Sequence, residues 1–598
     1  MKELHDFLTV LVNKGIRLSV EGDQLNCFAA KGAITPSIKE DIIKYKPKLM
    51  ELLGSAGLAQ PSDHAELTGE VVQHFPMSIG AQGLFVVQQR APEMTAYNVP
   101  LCFEFNAEPD LDALHSAWLS VLEKYPLLCT CVEEQENRLF FSHKTNLKQS
   151  INVLQHPGLT AEQKQQTLEA AFQETFDMVT GPLYRASLHR FDDADVFLVV
   201  IHHAIIDGTS SLILLKSLFE FYLAHRSGQS QPTIDVVNGY AQFAQWESQL
   251  LASDEGRSHQ SYWQKQLSGS LPGLTIIPDR KALNTSQVDA GVLTQTLSQD
   301  QFALIKQFTK DHTTQPSVLF LTTFHVLLSH YSGQNEIIYG MPSMGRTDPK
   351  FQTEFGYFVN VIPLRLTADA NAPLIDFIRQ VQATMVDGLY HANYPLPAII
   401  KDLKPNQANS EPLFQVTFVF QNFIQDAGLA EDTYATMGVK PVEGIVQQGE
   451  RELELEVLEH SDHYQINLKY NKNCFSEAYI QQLYGHFCVL LDNVLSSTDK
   501  PLHAYDYFSQ IEKDQLLIAF NDTGVELAAD RCLHQLFESQ AQSTPGAPAL
   551  LHEGKVISYG ELELASRQLA LYLQARGIGA GDLVAVCLDR SPIMVTAL

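Results

Sequence analysis

The feature that most constrains this chain is an apolar run that ends on two histidines and an Asp-Gly pair. Residues 195–211 are Asp-Val-Phe-Leu-Val-Val-Ile-His-His-Ala-Ile-Ile-Asp-Gly-Thr-Ser-Ser. A run of branched and aromatic residues bounded by acidic turn residues predicts a fully buried strand. Thr209 and Ser210 are typical N-cap residues, and they predict a helix that continues to about Ala224. The sequence therefore predicts a buried strand, a tight loop and a helix in direct succession.

The two histidines, His202 and His203, are adjacent, so along a strand their side chains point to opposite faces. One imidazole then packs in the core, while the other is presented where the strand opens into the loop. In that loop Gly208 allows a close backbone approach, and the Asp207 carboxylate accepts hydrogen bonds from backbone N–H groups or binds a cation. The alternative is a strand end with two hydrogen-bonded histidines and no chemistry.

Further motifs accompany the His-His-x-x-x-Asp-Gly string over about residues 75–502. They are Ser78-Ile-Gly-Ala-Gln82-Gly-Leu-Phe85, Tyr97-Asn98-Val-Pro, Tyr240-Ala-Gln-Phe243-Ala-Gln-Trp246, Tyr262-Trp263, Gly345-Arg346, Phe355-Gly356-Tyr357-Phe358-Val359-Asn360, Tyr394-Pro395 and Pro412-Leu-Phe-Gln415-Val. Together they resemble the condensation domains of nonribosomal peptide synthetases, in which such motifs occur in this order. The resemblance implies an α/β fold of two lobes, each like chloramphenicol acetyltransferase, that meet in a V with the active site between them.

The same resemblance implies roles for several residues. His203 matches the histidine that hydrogen-bonds the attacking amine and accepts its proton, and the Gly208 N–H group is a candidate for stabilising the oxyanion. His202 and Asp207 are assigned to the architecture of the site, with Asp207 paired to Arg346. A further residue, Asn360, lies in a motif that lines the lobe interface of relatives.

One motif departs from the family pattern. Where the family has Arg-His-Glu-x-Leu-Arg-Thr, this chain has Lys-Tyr-Pro-Leu-Leu-Cys-Thr at residues 124–130. Cys129 thus replaces an arginine that is usually buried near the active site. The sequence leaves open how the catalytic loop is braced without that arginine.

Residues 1–55 have the pattern of a separate small domain, with a helix, two short strands around a glycine turn and two further helices. Leu18-x-Val-Glu-Gly-Asp and Gly32-Ala-Ile-Thr-Pro resemble the N-terminal docking domains of hybrid polyketide and nonribosomal synthetases. In that family the hairpin edge binds a linear peptide from the C-terminus of the preceding subunit. The candidate contact residues are Leu18, Val20, Gly22 and Leu25. The alternative is a cap that only packs on the next domain.

The C-terminal part changes character again. Its Val-Ile-Ser-Tyr-Gly-Glu-Leu string at 556–562 resembles the first motif of adenylation domains, and no ATP site is expected because the nucleotide-binding motifs of that family are missing. The predicted plan is a docking domain at 1–55, a linker at 56–72, a condensation domain at 73–505, a linker at 506–525 and the start of an adenylation domain at 526–598. Within the condensation domain the lobes are placed at 73–250 and 251–505. Periodicity predicts helices at 111–122 and 160–176 and a strand at 414–420.

Composition excludes several classes of function. The formal net charge of −28 argues against binding nucleic acid through its phosphates. No long apolar segment predicts a signal peptide or a membrane span, so a cytoplasmic location is expected. The eight cysteines lack the spacing of a zinc site, which predicts reduced thiols and no metal.

The predicted function is amide bond formation between an acyl or peptidyl thioester on an upstream carrier protein and the amine of an aminoacyl thioester on a downstream carrier. No cofactor is expected on this chain, because the substrates arrive on the 4′-phosphopantetheine of the carriers. Heterocyclising relatives have aspartate in place of the first histidine, so His202 argues against that reaction. Two alternatives stay open, an epimerising member of the same superfamily and a non-catalytic gate or docking scaffold.

Overall fold

A computed structural model describes residues 17–21, 24–28, 39, 44, 46, 71–228, 234–280, 290–403, 412–422, 438–442, 444–445, 447–449, 451–525 and 530–598. The chain divides into two compact units, Met1–Phe508 and Ser509–Leu598. The first unit holds the His-His-x-x-x-Asp-Gly string and both predicted lobes.

The N-terminal segment contains the predicted hairpin. Strand β1 (Arg17–Glu21) pairs antiparallel with β2 (Gln24–Phe28), with Leu18 opposite Cys27 and Val20 opposite Leu25. Gly22 lies outside the described residues. Residues 39, 44 and 46 are helical, and the other positions at which helices are expected around the hairpin also lie outside the described residues.

The first lobe is built on a five-stranded sheet and a smaller three-stranded sheet. Its strands are β3 (Val71–Pro76), β4 (Asn98–Phe105), β5 (Thr130–Gln135), β6 (Arg138–Lys144), β7 (Asn152–His156), β8 (Tyr184–Phe191) and β9 (Asp195–His202). Its helices are α1 (Ile79–Arg90), α2 (Leu111–Lys124), α3 (Ala161–Phe172), α4 (Gly208–Ser227) and α5 (Gly239–Ala252). The next helix, α6 (Asp254–Gln266), belongs to the second lobe, because its buried Trp263 packs in the core of that lobe. The smaller sheet has the order β3-β6-β5, and β9 lies between β4 and β8 in the larger one. Strand β9 is therefore central, which explains its uninterrupted apolar sequence.

Three helices differ in length from the sequence predictions, and the smallest difference is in α2, which ends at Lys124 and not at Leu122. Helix α4 runs on to Ser227, where Gly228 in the left-handed conformation ends it. Helix α3 ends at Phe172, before the predicted end at Phe176, because the side-chain amide of Asn98 donates to the carbonyl groups of Phe172 and Glu174 at 2.7 and 2.9 Å. A contact distant in sequence thus ends the helix.

The second lobe is built on a six-stranded sheet. Its strands are β10 (Ala290–Thr296), β11 (Glu336–Ser343), β12 (Asn360–Thr367), β13 (Val416–Gln421), β15 (Leu453–Glu459) and β16 (Tyr464–Asn471), in the order β10-β16-β15-β13-β11-β12. Its helices are α7 (Gln299–Asp311), α8 (Pro316–Ser332), α9 (Leu374–Tyr390), α10 (Leu396–Leu403) and α11 (Glu477–Ser496). Helix α8 is buried along most of its length, as its apolar sequence requires.

Two segments of the second lobe reach into the first. Strand β14 (Val439–Pro441) follows β13 in sequence, yet it pairs antiparallel with β4 of the first lobe, with Val439 opposite Phe105. The segment after β11 contributes three buried side chains to the core of the first lobe, Phe351, Phe355 and Phe358. This second segment lies against the loop that follows β9, where the Phe358 amide donates to Asp207.

The Ser509–Leu598 unit is small. It contains α12 (Gln510–Leu517), α13 (Leu533–Ser543), β17 (Pro548–His552), β18 (Lys555–Ser558), α14 (Tyr559–Ala575) and α15 (Pro592–Ala597). The Ser-Tyr-Gly-Glu string forms a capping box, in which Ser558 caps α14 and Glu561 bonds back to the Ser558 amide. Helix α12 lies within the segment that the sequence analysis placed in a linker.

We expect Gly340→Ala to destabilise the second lobe, because a Cβ atom there would lie 2.3 Å from Cε2 of the buried Phe414 ring. Overpacking of this kind costs about 1–3 kcal/mol. Gly485→Ala is the matched control, since a Cβ atom on Gly485 in α11 meets no atom within 4 Å and alanine favours the helix. Thermal unfolding should show a lower midpoint for the first variant only, and equal midpoints would contradict this packing.

Candidate active site

The two histidines lie in different surroundings because β9 ends between them. His202 is the last residue of the strand, and His203–Ile205 form one turn of 3₁₀ helix. The His203 amide donates to the carbonyl group of Tyr97 at 2.7 Å as this turn begins. The strand is thus one residue shorter than predicted, and the turn orients the second imidazole.

His202 is locked in the interior, with about 1% of its surface exposed. Its Nδ1 accepts a hydrogen bond from the Ala204 amide at 3.1 Å, so Nε2 carries the proton and points to Oε1 of Gln88 at 3.5 Å. Burial above all, together with the nearby His203 and Arg185, lowers the pKa of His202 to about 3. His202 is therefore a neutral structural group.

His203 is half-buried and presents one ring nitrogen. Its Nδ1 lies 2.7 Å from the carbonyl oxygen of Ile206, and a carbonyl oxygen only accepts. Nδ1 must therefore carry the proton, which leaves the lone pair of a neutral ring on Nε2. The Tyr357 ring lies perpendicular to the imidazole, with ring centroids 5.5 Å apart. Nε2 makes no hydrogen bond with the part of the chain that the structure describes.

Asp207 caps the helix that follows. The predicted N-caps Thr209 and Ser210 are wrong, because α4 begins earlier, at Gly208, and Oδ1 of Asp207 accepts from the Ser210 amide at 2.7 Å. Oδ2 of Asp207 accepts from the Phe358 amide at 3.1 Å. The carboxylate thus joins the loop between β9 and α4 to the second lobe.

Arg346 completes this arrangement from the loop after β11. One guanidinium nitrogen donates to both carboxylate oxygens of Asp207, at 2.9 and 3.1 Å, and to Oγ of Ser210 at 2.8 Å. Its other terminal nitrogen donates to the carbonyl groups of Phe351 and Glu354. Both side chains are almost fully buried, at 3% and 1% exposure. Because a buried charge without its partner is costly, the pair holds the two lobes in one arrangement.

Three family models match this chain. "Condensation domain" matches residues 72–517, "TubC N-terminal docking domain" matches residues 4–54, and "AMP-binding enzyme" matches residues 537–598. The first match covers well over half of the chain. The chain belongs to the condensation-domain family. Condensation domains of nonribosomal peptide synthetases are amide-forming enzymes of the acyltransferase type, and they act on substrates held by carrier proteins.

Curated relatives agree with this assignment. The chain is 34% identical over 532 residues to polyketide synthase PksN of Bacillus subtilis, a match that covers 88% of this chain and 10% of the relative. It is 27% identical over 552 residues to tyrocidine synthase 2 of Brevibacillus parabrevis, a match that covers 90% of this chain and 15% of the relative. The chain therefore spans only a small part of the length of these relatives.

Two solved structures share the fold. Holo-AB3403, a four-domain nonribosomal peptide synthetase, matches with a TM-score of 0.72 and 22% identity over 88% of this chain and 40% of that one. The condensation domain of monacolin K polyketide synthase MokA matches with a TM-score of 0.62 and 17% identity over 72% and 100% of the two chains. The predicted α/β condensation fold is confirmed.

The remaining predicted site residues of this condensation domain have different environments. Asn360 holds the loop between α9 and α10, since its side chain donates to the carbonyl groups of Ala392 and Tyr394 and accepts from the Leu396 amide. Its amide is therefore fully used within the protein. Gly208 is exposed as the first residue of α4, close in sequence to His203.

Cys129 is an uncharged residue in the core of the first lobe. Its side chain is 1% exposed, and burial raises the pKa of its thiol to about 12. An uncharged side chain therefore fills this buried position. Asp207 is paired with Arg346, and the departure at residue 129 leaves that pair intact.

A cavity opens beside this site. It is small, with about 20 Å³ of space for water-sized molecules, and its walls include Gly80, Glu247, Tyr357 and Asn360. Glu247 is 6% exposed, and its Oε2 accepts from the Ile79 amide at 2.6 Å. Burial raises the pKa of Glu247 to about 7, although the Ile79 N–H group lowers it in part.

Sequence reasoning missed three residues of the site. Ser210 stands three residues after the N-cap, the position whose amide an N-cap carboxylate accepts. Tyr357 and Glu247 lie in or next to motifs already identified, but no pattern states that they approach His203 or a cavity. Spacing could have found Ser210, whereas Tyr357 and Glu247 required the tertiary structure.

Among the described residues, no group of three or more His, Cys, Asp or Glu side chains is arranged to hold a metal ion. Seven cysteines within the described ranges are free. In the same part of the chain, no helix is both long and apolar enough to cross a membrane.

We expect Asp207→Asn to destabilise the protein strongly, because it leaves the Arg346 charge buried without a counter-ion. Breaking a buried pair in this way costs about 3–5 kcal/mol. The matched control is Asp348→Asn, which breaks the exposed pair with Lys350, where the side chains are 33% and 50% exposed. Such a pair contributes about 0–1 kcal/mol. Similar unfolding midpoints for the two variants would show that the buried pair does not hold the lobes.

We expect Glu247→Gln to remove a pH dependence of stability. The pKa of Glu247 rises from 4.5 to about 7 on folding, so the folded state retains a proton that the unfolded state loses in this range. The stabilisation is complete below about pH 4.5 and is lost as the pH rises through about 7. The unfolding midpoint of the variant minus that of wild type should therefore be higher at about pH 8 than at about pH 5. Glu134→Gln, at an exposed position, is the control, and an unchanged difference between Glu247→Gln and wild type would contradict the shift.

Proposed function

We propose that this chain joins an acyl or peptidyl thioester on an upstream carrier protein to the amine of an aminoacyl thioester on a downstream carrier. The observation that carries the proposal is the geometry of His203. Its Nδ1 is fixed on the Ile206 carbonyl at 2.7 Å, so Nε2 is left as a hydrogen-bond acceptor. A neutral amine that attacks a carbonyl carbon must lose a proton, and a hydrogen-bond acceptor in this position can take it.

The proposed reaction proceeds through addition and elimination. The amine nitrogen attacks the thioester carbonyl carbon while Nε2 of His203 accepts one amine proton, and the carbonyl oxygen becomes an oxyanion. The Gly208 N–H group is the proposed donor to that oxyanion. The C–S bond then breaks, the sulfur leaves with the proton from His203, and the amide remains on the downstream carrier.

Positioning supplies the larger part of the rate in this proposal. A thioester is already activated, and holding two tethered ends in line is worth about 7–11 kcal/mol. A single proton-transfer group contributes about 10²- to 10⁴-fold. Three residues contribute to positioning, because they fix the turn that presents His203 and the loops that face it. They are His202, Asp207 and Arg346. Asn360 supports the same loops from the second lobe.

The proposed partners are two carrier proteins and a docking peptide. The match of residues 4–54 to a docking domain supports recruitment of a preceding subunit through its C-terminal peptide. Leu18, Val20, Gly22 and Leu25 are the proposed contact residues along the β1–β2 hairpin, and addition of a strand to its edge is the proposed mode. The substrates arrive on 4′-phosphopantetheine, and the chain needs no cofactor of its own for this reaction.

The donor is proposed to come from a polyketide or fatty-acyl carrier. The similarity to polyketide synthase PksN, at 34% identity, supports this choice over an amino-acid donor. The opening motif and the Lys-Tyr-Pro segment at 124–126 support the same choice.

We expect His203→Ala to slow amide formation by about 10²- to 10⁴-fold without loss of the fold, because it removes the acceptor for the amine proton. The measurement is intact-mass detection of product on a loaded downstream carrier after mixing with a loaded upstream carrier. His463→Ala is the control, since His463 lies in the hairpin between β15 and β16 and its ring contacts Asp462.

Each alternative has its own result in this assay. Equal product from wild type and His203→Ala would mean that positioning alone carries the reaction. Carrier binding with no amide product from either protein would support a gate or docking scaffold. Inversion of the upstream residue without amide formation would support an epimerising enzyme.

A further inference from the structure

Within the described part of the chain, the imidazole of His203 makes one hydrogen bond. Its Nδ1 bonds the carbonyl oxygen of Ile206 at 2.7 Å, which fixes one corner of the ring. A ring that is held at one corner can still tilt about that contact, and the direction of Nε2 changes with the tilt. The orientation of Nε2 therefore depends on what lies against the rest of the ring.

The ring of Tyr357 supplies a second contact. It lies perpendicular to the imidazole, with an interplanar angle of 89° and ring centroids 5.5 Å apart. Edge-to-face arrangements are favoured because the positive edge of one aromatic ring meets the negative face of the other. Tyr357 is 7% exposed, so little water competes for this contact. The hydrogen bond and the ring contact together define the plane of the imidazole.

The backbone on both sides of Tyr357 is tied to the loop between β9 and α4. The Gly356 amide donates to Oγ of Ser210 at 3.0 Å, and that hydroxyl group donates to the Gly356 carbonyl at 2.8 Å. The Phe358 amide donates to Asp207 at 3.1 Å. The imidazole stands at the start of the same loop. The two rings are therefore attached to one hydrogen-bonded unit, and no substrate is needed to bring them together.

The Tyr357 ring also packs against α1, at a glycine. A Cβ atom added to Gly80 would lie 3.0 Å from Cε1 of the ring, which is closer than ordinary van der Waals contact. Gly80 lies in the first turn of α1, and its missing side chain leaves room for the ring. The tyrosine ring is thus confined by its contacts with α1 and with the imidazole.

The support of the imidazole comes from both lobes. Tyr357 belongs to the segment that follows β11 of the second lobe, whereas His203 and Gly80 belong to the first. The ring contact therefore crosses the same boundary as the buried pair of Asp207 and Arg346. Loss of this lobe arrangement would remove the ring contact and leave the imidazole on its one hydrogen bond.

Resting on the condensation activity proposed above, we propose that Tyr357 is a positioning residue for this reaction. Its ring holds the imidazole of His203 so that Nε2 is directed toward the attacking amine, and the second lobe thereby controls the orientation of the proton acceptor. Tyr357 does not contact the reacting atoms and acts only through His203. Its effect on the rate must therefore disappear when His203 is absent.

The test uses the full chain and two independent changes to this contact. Tyr357→Leu removes the ring, whereas Tyr357→Phe retains it. Gly80→Ala leaves the tyrosine in place and displaces its ring by a few tenths of an ångström. Gly83→Ala is the matched control in the same helix, because a Cβ atom there would lie equally close, at 3.0 Å, to Cγ of Pro397 and not to the tyrosine ring.

Amide formation is measured by intact mass with loaded upstream and downstream carriers. We expect Tyr357→Leu to lower kcat by about 10- to 100-fold, because misplacement of a catalytic group costs rate in this range, and to leave KM for both loaded carriers unchanged. Gly80→Ala should lower kcat by a smaller factor. Tyr357→Phe should restore most of the wild-type rate, and Gly83→Ala should not change it.

The same substitutions are then made in the His203→Ala background. Neither Tyr357→Leu nor Gly80→Ala should cause a further loss there, because each acts through the side chain that is already missing. A further loss of the same size in this background would overturn the proposal, since it would show that Tyr357 acts on the substrate or on the fold. Thermal unfolding identifies any variant that does not fold, and Gly80→Ala carries the test if Tyr357→Leu is one.

A second measurement needs no turnover. Relaxation of ¹³C-labelled histidine gives the order parameter of each imidazole C–H bond, and the signals of His203 are those missing from the spectrum of His203→Ala. The order parameter should be high in wild type and in Tyr357→Phe, and it should fall in Tyr357→Leu because the ring is free to tilt. Equal order parameters in wild type and Tyr357→Leu would overturn the proposed positioning.

These results separate the positioning of His203 from the proposed function. A loss of ring order in Tyr357→Leu without any amide product from wild type would support Tyr357 as the support of the imidazole and count against the condensation activity. Amide formation that depends on His203 and is unaffected by Tyr357→Leu and Gly80→Ala would support the activity and exclude Tyr357 as a positioning residue.

Discussion

The buried ion pair between Asp207 and Arg346 is the interaction on which the rest of the site depends. Asp207 belongs to the loop after the central strand of the first lobe, and Arg346 belongs to a loop of the second lobe. Two charges removed from water are stable only when their hydrogen bonds are satisfied, so each must find the other in one geometry. The Asp207 carboxylate accepts from the amides of Ser210 and Phe358 as well as from the guanidinium group. A change in lobe position would break several of these bonds at once.

The Asp207–Arg346 pair helps to hold the short turn after β9, and with it the side chain of His203, in one orientation. His202 anchors the turn as a neutral, buried imidazole, whereas His203 uses one nitrogen to fix its own ring and leaves the other available. Two identical side chains thus take different roles because a strand ends between them. Asp207 also accepts from the Phe358 amide, and Ser210, which Arg346 contacts, accepts from the Gly356 amide. The loop after His203 and the two residues on either side of Tyr357 therefore share one support.

Cysteine in place of the usual arginine at residue 129 is compatible with this arrangement. Cys129 lies in an apolar core, where an uncharged thiol is well accommodated. Asp207 keeps a cationic partner because Arg346 reaches it across the lobe interface. The support of the catalytic loop is therefore a property of two distant segments, and the local motif around residue 129 does not reveal it.

The amino-acid sequence by itself determined the family, the order of the motifs and the buried strand β9, because these depend on residue type and local spacing. The proposal of His203 rather than His202 as the reactive histidine came from the resemblance. It also indicated Arg346 as the partner of Asp207, through resemblance. It misplaced the N-cap of α4, where Asp207 makes the local capping contact with the Ser210 amide, and the end of α3, where Asn98 makes a contact that is distant in sequence. Only the tertiary structure decided which nitrogen of His203 is available and that Tyr357 and Glu247 line one cavity. The first fact depends on the 3₁₀ turn that places the Ile206 carbonyl group beside His203. The second depends on segments that are distant in sequence, which packing between the lobes brings together.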